Sequence, residues 1–359
     1  MNRRSLFDID WGLLAPVFVL ATLSLTALFS MDFSLFKSQL IFFIIGLFAF
    51  FFFSQTNYKT VKFYALPIYL ISITLLIIVL IIGVETRGSI RWLDFFGFRA
   101  QFSEILKPFL AISFSAYLSY GNNSSLKTLL LAFLFLVPVA WLVFLQPDLG
   151  NALIYIFAAV IAFIVFGFPF RFFFSGFVLA LILSPVFWRF LHDYQKQRIL
   201  TFLNPNDPLG LSYNAIQSVI AVGSGMFIGR GLGLGTQSGL RFLPERHTDF
   251  IFATLSEELG IIGAILIVAT FAFLLYKIFK IFREQDELFC KIFSVIVFSL
   301  IFLQFLLNIG MNIGMLPIVG VTLPFVSYGG SSMLSNFILF GILNSMNRGD
   351  SSRKVLEIK

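Results

Sequence analysis

The sequence predicts an all-α polytopic membrane protein of about ten transmembrane helices, and three observations carry that reading. Of its 359 residues, 58% are hydrophobic and only 12% are charged, with a mean hydropathy of +0.94, whereas soluble domains carry about 25% charged residues. The apolar residues come in continuous runs of about 17–25, the length that crosses a bilayer as a helix, and not in the strict alternation of an outer-membrane barrel. One soluble core could not enclose this much apolar surface. A soluble enzyme and a disordered chain are excluded on the same grounds. The 50 Phe add little, because runs such as Phe50–Phe53 and Phe172–Phe174 sit inside apolar stretches as filler toward lipid or neighbouring helices.

The runs cover roughly 11–30, 38–54, 63–84, 104–118, 126–145, 150–168, 171–190, 249–276, 288–310 and 324–346. The fourth and fifth are interrupted by polar residues or Pro138. The first follows Arg3 and Arg4 but is long and lacks a small-residue cleavage site, so it reads as a retained helix. Ten spans put both termini on one side. With the termini cytoplasmic, the inner segments hold fourteen basic residues: Arg3, Arg4, Lys59, Lys62, Lys127, Arg171, Lys277, Lys280, Arg283, Lys291, Arg348, Arg353, Lys354 and Lys359. The short outer loops hold four, Lys37, Arg87, Arg91 and Arg99. That asymmetry sets the orientation. It also makes the net charge of +7 a matter of topology, not of nucleic-acid binding.

The chain reads as a single membrane domain, 1–359, with one large extracytoplasmic loop, 191–248, between helices seven and eight. Motif-bearing segments gather on that outer side, so any chemistry faces away from ATP. The sharpest is Pro244-Glu245-Arg246-His247-Thr248-Asp249. Proline suits a first helical turn, which starts the eighth helix here and stacks Glu245 on Asp249 at i, i+4. The cluster is either a site for sugars and pyrophosphate or a set of charges complementing the helix dipole.

Glu257 and Glu258 follow roughly 12–14 Å deeper at about 1.5 Å per residue. Carboxylates inside a bilayer need partners, and Arg or Lys from a neighbouring helix is the expected one. Glu104 and Lys107 are close enough to pair at i, i+3, as a staple or with Lys107 toward a pyrophosphate. Asp148, between Pro147 and Gly150, suits a helix cap.

Other motifs lose their meaning in context. Gly223-Ser224-Gly225 through Gly229 lacks the strand–helix–strand unit of a dinucleotide turn, and the Gly229, Gly231, Gly233, Gly235 series reads as a flexible outer loop. Asp8-Ile9-Asp10 lies on the wrong side for a metal-binding carboxylate pair. His192 and His247 are too few for a histidine-rich metal site, and a lone Cys290 makes no disulfide. A Ser331–His247 protease is disfavoured, and no P-loop is present.

Taken together, Asn308, Gly314-Met315-Leu316-Pro317-Ile318-Val319-Gly320 and Leu323-Pro324-Phe325-Val326-Ser327-Tyr328-Gly329-Gly330-Ser331-Ser332 resemble the signature of the SEDS family (shape, elongation, division and sporulation). The resemblance runs in order through Arg91-Trp92, Gln101 to Lys107, Gln146 to Gly150, Arg198 to Pro205, Tyr213 to Gly229 and Leu243 to Ala253. The short tails and the wording of 314–320 look more like the elongation-type, RodA branch than the division type.

The resemblance implies a peptidoglycan glycosyltransferase that polymerises lipid II on the outer face of the cytoplasmic (inner) membrane, in elongation and rod shape. A division- or sporulation-type polymerase or a lipid II flippase is the alternative. It implies Asp249 as the catalytic residue and carries the Glu–Lys pair onto Glu104 and Lys107. The implied partners are a class B penicillin-binding protein and other elongation-complex membrane proteins. Phe102 stands where the family usually has Pro, and Arg241 where division-type relatives often have an acid. Candidates for binding substrate or stabilising the leaving undecaprenyl pyrophosphate are Arg91, Lys107, Arg198, Glu245, Arg246, His247, Ser327 and Ser331. No cofactor is required by the sequence. A divalent cation, Mg or Mn, travelling with the pyrophosphate is left open, with no protein cage for it.

Overall fold

The computed structural model describes residues 9–86, 89–95, 98–121, 125–204 and 212–357. Arg3, Arg4, Asp8, Arg87, Pro205 and Lys359 lie outside the described residues. The chain begins with α1 (Trp11–Met31), α2 (Phe33–Gln55), the short α3 (Tyr58–Phe63) and α4 (Ala65–Ile82). Three strands follow, β1 (Val84–Thr86), β2 (Ser89–Phe95) and β3 (Phe98–Gln101). Then come α5 (Phe102–Ile105), α6 (Lys107–Ser119), α7 (Leu126–Leu145), α8 (Leu149–Phe166) and α9 (Phe170–Phe190). The remainder is α10 (Asp193–Leu203), α11 (Tyr213–Ser224), α12 (Thr236–Gly239), α13 (Ile251–Glu284), α14 (Leu288–Asn312) and α15 (Gly330–Glu357).

Among the described residues, α1, α2, α4, α7, α8, α9, α13 and α14 are long and apolar enough to cross a membrane. The pair α5–α6 and the first part of α15 occupy the other two expected spans. The Asp10 N–H donates to Asn344 at 3.0 Å, Lys277 pairs with Asp10 at 3.5 Å and Lys62 with Glu287 at 3.0 Å. These contacts gather the start of α1, α3, the end of α13 and the start of α14 at one end of the bundle, the tail end. The sheet and α10–α12 lie at the opposite, loop-rich end.

The core forms where α14 is surrounded by α6, α8, α13 and α15, and where α2 packs on α15 through Phe43, Phe50 and Phe337. Phe43 and Phe337 meet edge to face, with centroids 5.6 Å apart. Within the four-Phe run, Phe50 is 0% exposed while Phe52 is 70% exposed. The run divides between core and lipid face because successive helical side chains point about 100° apart. Helix α9 has no buried residue at all.

Three expectations are corrected. The loop 84–101 is a three-stranded antiparallel sheet in the order β1-β2-β3, with Trp92 opposite Gln101 and Leu93 opposite Ala100. Its period-2 pattern is too short to stand out among long apolar runs. The eighth helix does not run unbroken from 249: Gly260 (φ 67°, ψ −163°) interrupts α13, so its long membrane segment starts at Ile261. A Cβ at Gly260 would lie 2.6 Å from the Phe227 carbonyl, so glycine is required there. The glycine series 229–235 is a defined turn whose backbone bonds to α13, including the Arg230 N–H to the Glu257 carbonyl at 2.9 Å and the Gly231 N–H to that of Glu258 at 3.0 Å.

Candidate active site

Four segments converge at the loop-rich end: the stretch 243–250 before α13, the end of α14, the loop 313–329 and α10. Residues 244–249 are successive turns, not the first turn of a helix. Glu245 has a left-handed φ of 51°, and its carbonyl accepts the N–H groups of Thr248 and Phe250 at 3.1 and 3.2 Å. Glu245 and Asp249 therefore do not stack at i, i+4, a correction to the expected helix start. Glu245 instead accepts the Thr248 hydroxyl at 3.1 Å.

Asp249 is fastened by its main chain. Its carbonyl accepts side-chain N–H groups from Asn308 at 3.1 Å and Asn312 at 2.9 Å, both on α14. Asn312 Oδ1 in turn accepts the Ala253 N–H at 3.0 Å. On the neighbouring side, Ser327 Oγ donates to the Thr248 carbonyl at 2.7 Å, and the Tyr328 N–H donates to the His247 carbonyl at 2.8 Å. Gln39 on α2 locks the same loop, donating to the Ser327 carbonyl and accepting from the Gly329 N–H, each at 3.2 Å. The His247 ring stands edge to face on Tyr328.

The Asp249 carboxylate then lies at Gly320. A Cβ on Gly320 would sit 3.5 Å from Asp249 Oδ2 and 3.4 Å from Arg198 Nη1, so acid and guanidinium share one small space that this glycine (φ 74°) leaves open. Asp249 is half-buried and Arg198 exposed.

Arg198 belongs to a second group. Its guanidinium stands over the Tyr194 ring, 5.6 Å from the centroid, and Tyr194 OH donates to the Pro147 carbonyl at 2.6 Å. Burial pushes the Tyr194 phenol above its usual range. Next to it, Asp148 caps α8 at Asn151 and also accepts Gln101, Ser103 and the Asn151 amide at 2.8–2.9 Å, with Arg91 Nη1 at 3.8 Å. Asp148 is thus more than the expected cap: it joins β2, β3, α5 and α8. The Arg91 Nε is buried and has no hydrogen-bond partner among the described residues.

Below this group, Lys107 Nζ and Glu104 Oε1 are 2.8 Å apart, and both side chains are buried. They pair as the spacing predicts. Lys107 also faces an apolar pocket lined by Tyr69, Phe114, Phe135, Tyr155 and Leu300. Ser331 Oγ accepts the Gln101 N–H at 2.9 Å, tying α15 to the sheet.

Glu257 and Glu258 are buried, but among the described residues neither forms a salt bridge with a lysine or arginine, which corrects the expected cross-helix ion pairs. Glu257 accepts the N–H groups of Gln237 and Ser238 at 2.8 Å each, and Glu258 accepts the Gly233 N–H at 3.0 Å and the Ser30 hydroxyl at 3.1 Å. The Gly260 break also puts them at the edge of the long α13 segment, not deep within it. Arg246 sits nearby, half-buried, with Nη1 3.5 Å from the Gly239 carbonyl. Burial and then the neighbouring Arg241 lower its pKa from the usual arginine range, yet an arginine remains cationic near neutral pH.

Residues 5–352 match the family model for the FtsW/RodA/SpoVE cell cycle proteins. The chain belongs to that family. Its similarity to the peptidoglycan glycosyltransferase MrdB of Escherichia coli K12 is 39% identity, covering 80% of this chain and 78% of that one. Stage V sporulation protein E of Bacillus subtilis is 36% identical, covering 87% and 86%. Among solved structures, a chain from a peptidoglycan synthase complex that coordinates polymerisation and crosslinking superposes with a TM-score of 0.83 at 29% identity, covering 95% of this chain and 98% of that one. The rod shape determining protein RodA of Thermus thermophilus superposes at 0.74 and 26% identity, covering 98% and 99%.

Within this family member, Asp249 and Arg198 come together at Gly320, His247 and Ser327 hold the loop beside them, and the Arg246 side chain turns instead toward the Gly239 carbonyl. Glu104, Lys107 and Ser331 serve as fastenings, Arg91 and Asp148 join the sheet to α5 and α8, and Tyr194 ties α10 to Pro147. Sequence reading missed Asn312 and Gln39. The signal was present, since both are amides inside apolar helices, where an unpaired polar group is costly.

Proposed function

We infer that this family member is a peptidoglycan glycosyltransferase that polymerises lipid II, with Asp249 as general base. One observation carries the assignment of the base: a half-buried carboxylate, fixed through its own carbonyl by two asparagines, shares the space at Gly320 with Arg198. Asp249 accepts the proton from the GlcNAc 4-hydroxyl of an incoming lipid II. That oxygen attacks C1 of the MurNAc at the lipid-linked end of the growing strand, the C1–O bond to the pyrophosphate breaks, and inversion gives a β-1,4 link. General-base help contributes roughly 10²–10⁴ in rate. The leaving undecaprenyl pyrophosphate takes the electron pair, so no ATP is consumed. Arg198 and Arg91, whose buried Nε has no protein partner among the described residues, stabilise that charge.

Among the described residues no three His, Cys, Asp or Glu gather to hold a metal ion. A divalent cation arriving with the pyrophosphate is compatible with this arrangement, and no step is routed through it. The basic-residue asymmetry supports cytoplasmic termini and an active site on the outer face of the inner membrane. The likeness to a synthase complex coordinating polymerisation and crosslinking supports a class B penicillin-binding protein as partner. The MrdB relatives support the elongation branch.

A lipid II flippase is the second reading, favoured by the buried Glu104–Lys107 pair beside an apolar cavity. One experiment separates them: reconstituted protein, with its partner, given labelled lipid II. Wild type yields glycan ladders and Asp249→Asn yields none. Ladders from both proteins overturn the general base, and none from either favours transport.

A further inference from the structure

We propose that Met226-Phe227-Ile228 is a membrane-inserted wedge, seated in the lipid leaflet at the loop-rich end beside α13. The inference rests on the multi-pass membrane architecture and is independent of the polymerase mechanism. Met226, Phe227 and Ile228 are 79%, 77% and 80% exposed, three consecutive large apolar side chains on the part of the molecule otherwise richest in polar loops.

Their exposure is built in. Gly225 and Gly229 flank the tip, and each is pressed against the α13 backbone so closely that a Cβ would collide, at the Ser256 carbonyl for one and at the Glu258 carbonyl for the other. The Gly229 N–H donates to the Gly225 carbonyl at 2.9 Å and the Ile261 N–H to that of Met226 at 2.8 Å. The flanks are therefore tied down on the helix break at Gly260 while the three side chains project outward. Closing these backbone hydrogen bonds internally is what entry into hydrocarbon requires.

Continuity selects lipid as the occupant. The tip joins the outward face of α13 directly, where Ile261, Ile262 and Ile265 are 47%, 62% and 59% exposed at the start of the long membrane segment. Arg230, one residue beyond the turn, is exposed and bonds the Ser224 carbonyl at 3.2 Å, which places a cation beside the tip at the level of lipid phosphates. An apolar tip next to a basic side chain is the pattern of an interfacial anchor. The anchor fixes the depth of the Gly260 break, and through it the loop bearing Asp249, relative to the headgroup plane.

The test uses the full chain with Phe227→Cys in a Cys290→Ser background, labelled with an environment-sensitive fluorophore. The protein is placed one copy per nanodisc of phosphatidylethanolamine and phosphatidylglycerol. The expected result is a blue-shifted emission relative to the same label at Gln197→Cys, quenching by nitroxide on lipid chains, and shielding from aqueous iodide. Iodide quenching equal to that at Gln197, without nitroxide quenching, overturns the proposal. Shielding that arises only when a second protein is added overturns it too, in favour of a protein-binding surface. Ile228→Cys repeats the measurement should the first variant fold poorly. Because the readout is optical, a failure of the polymerase assay leaves it intact.

Discussion

Asp249 and the Glu257–Glu258 pair stand within ten residues of one another and are acidic groups of the same local chain, yet the structure uses them in opposite ways. Glu257 and Glu258 spend their carboxylates on the backbone N–H groups of Gly233, Gln237 and Ser238. Asp249 is held by its carbonyl through Asn308 and Asn312, and its carboxylate lies half-open at Gly320 beside Arg198. A carboxylate occupied by main-chain donors stabilises a fold. One whose backbone is immobilised and whose oxygens lie near an arginine fits the role of base proposed for it. Exposure alone would have ranked the buried glutamates as the more suspicious acids.

That contrast can be broken, and the largest expected effect comes from Asp249→Asn. Glycan synthesis should fall by about 10²–10⁴ while the melting temperature of the purified protein stays unchanged; a matching loss of stability would make Asp249 structural. Glu257→Ala should do the reverse. It strands the buried Ser238 N–H and the part-buried Gln237 N–H, at about 1–3 kcal/mol for the buried one, so thermal unfolding in detergent shifts down, and the activity of the fraction still folded is retained.

Asn312→Ala sharpens the comparison between these extremes. It removes one of the two amides on the Asp249 carbonyl and the acceptor of the Ala253 N–H, costing about 2–3 kcal/mol in stability. In steady-state assays kcat should drop more than KM rises, because the base is mispositioned while lipid II still binds. The smallest effect is expected from Gly320→Ala. The left-handed φ of 74° costs an alanine about 1–2 kcal/mol, and its methyl reaches both Arg198 and Asp249. Polymerisation should weaken modestly, with a raised KM for lipid II.

Legibility differed sharply between fold and site. The apolar runs named the long helices because a bilayer imposes one length and one composition on every crossing. The sheet at 84–101 was illegible, since three strands of a few residues each leave a pattern too brief to separate from a polar loop. The start of α13 was misread: Pro244 reads locally as a helix opening, but the carbonyl of Glu245 is engaged by Thr248 and Phe250 in a turn. The partners of Glu257 and Glu258 were misread because sequence suggests charge for charge. Here uncharged N–H groups from the glycine turn and α12 do the same work.

The sequence by itself determined that this chain lives in a membrane, which end carries the chemistry-bearing motifs, and which family those motifs resemble. These follow from composition and order, which a string of residues holds completely. Only the tertiary structure decided how each of these acids is held. That distinction depends on what reaches each carboxylate and each carbonyl across 20 to 288 residues of chain: Gln237 to Glu257, Asn312 to Asp249, Gln39 to Ser327. Hydrogen bonds are satisfied by whatever lies within about 3 Å in space, and sequence separation carries no record of that.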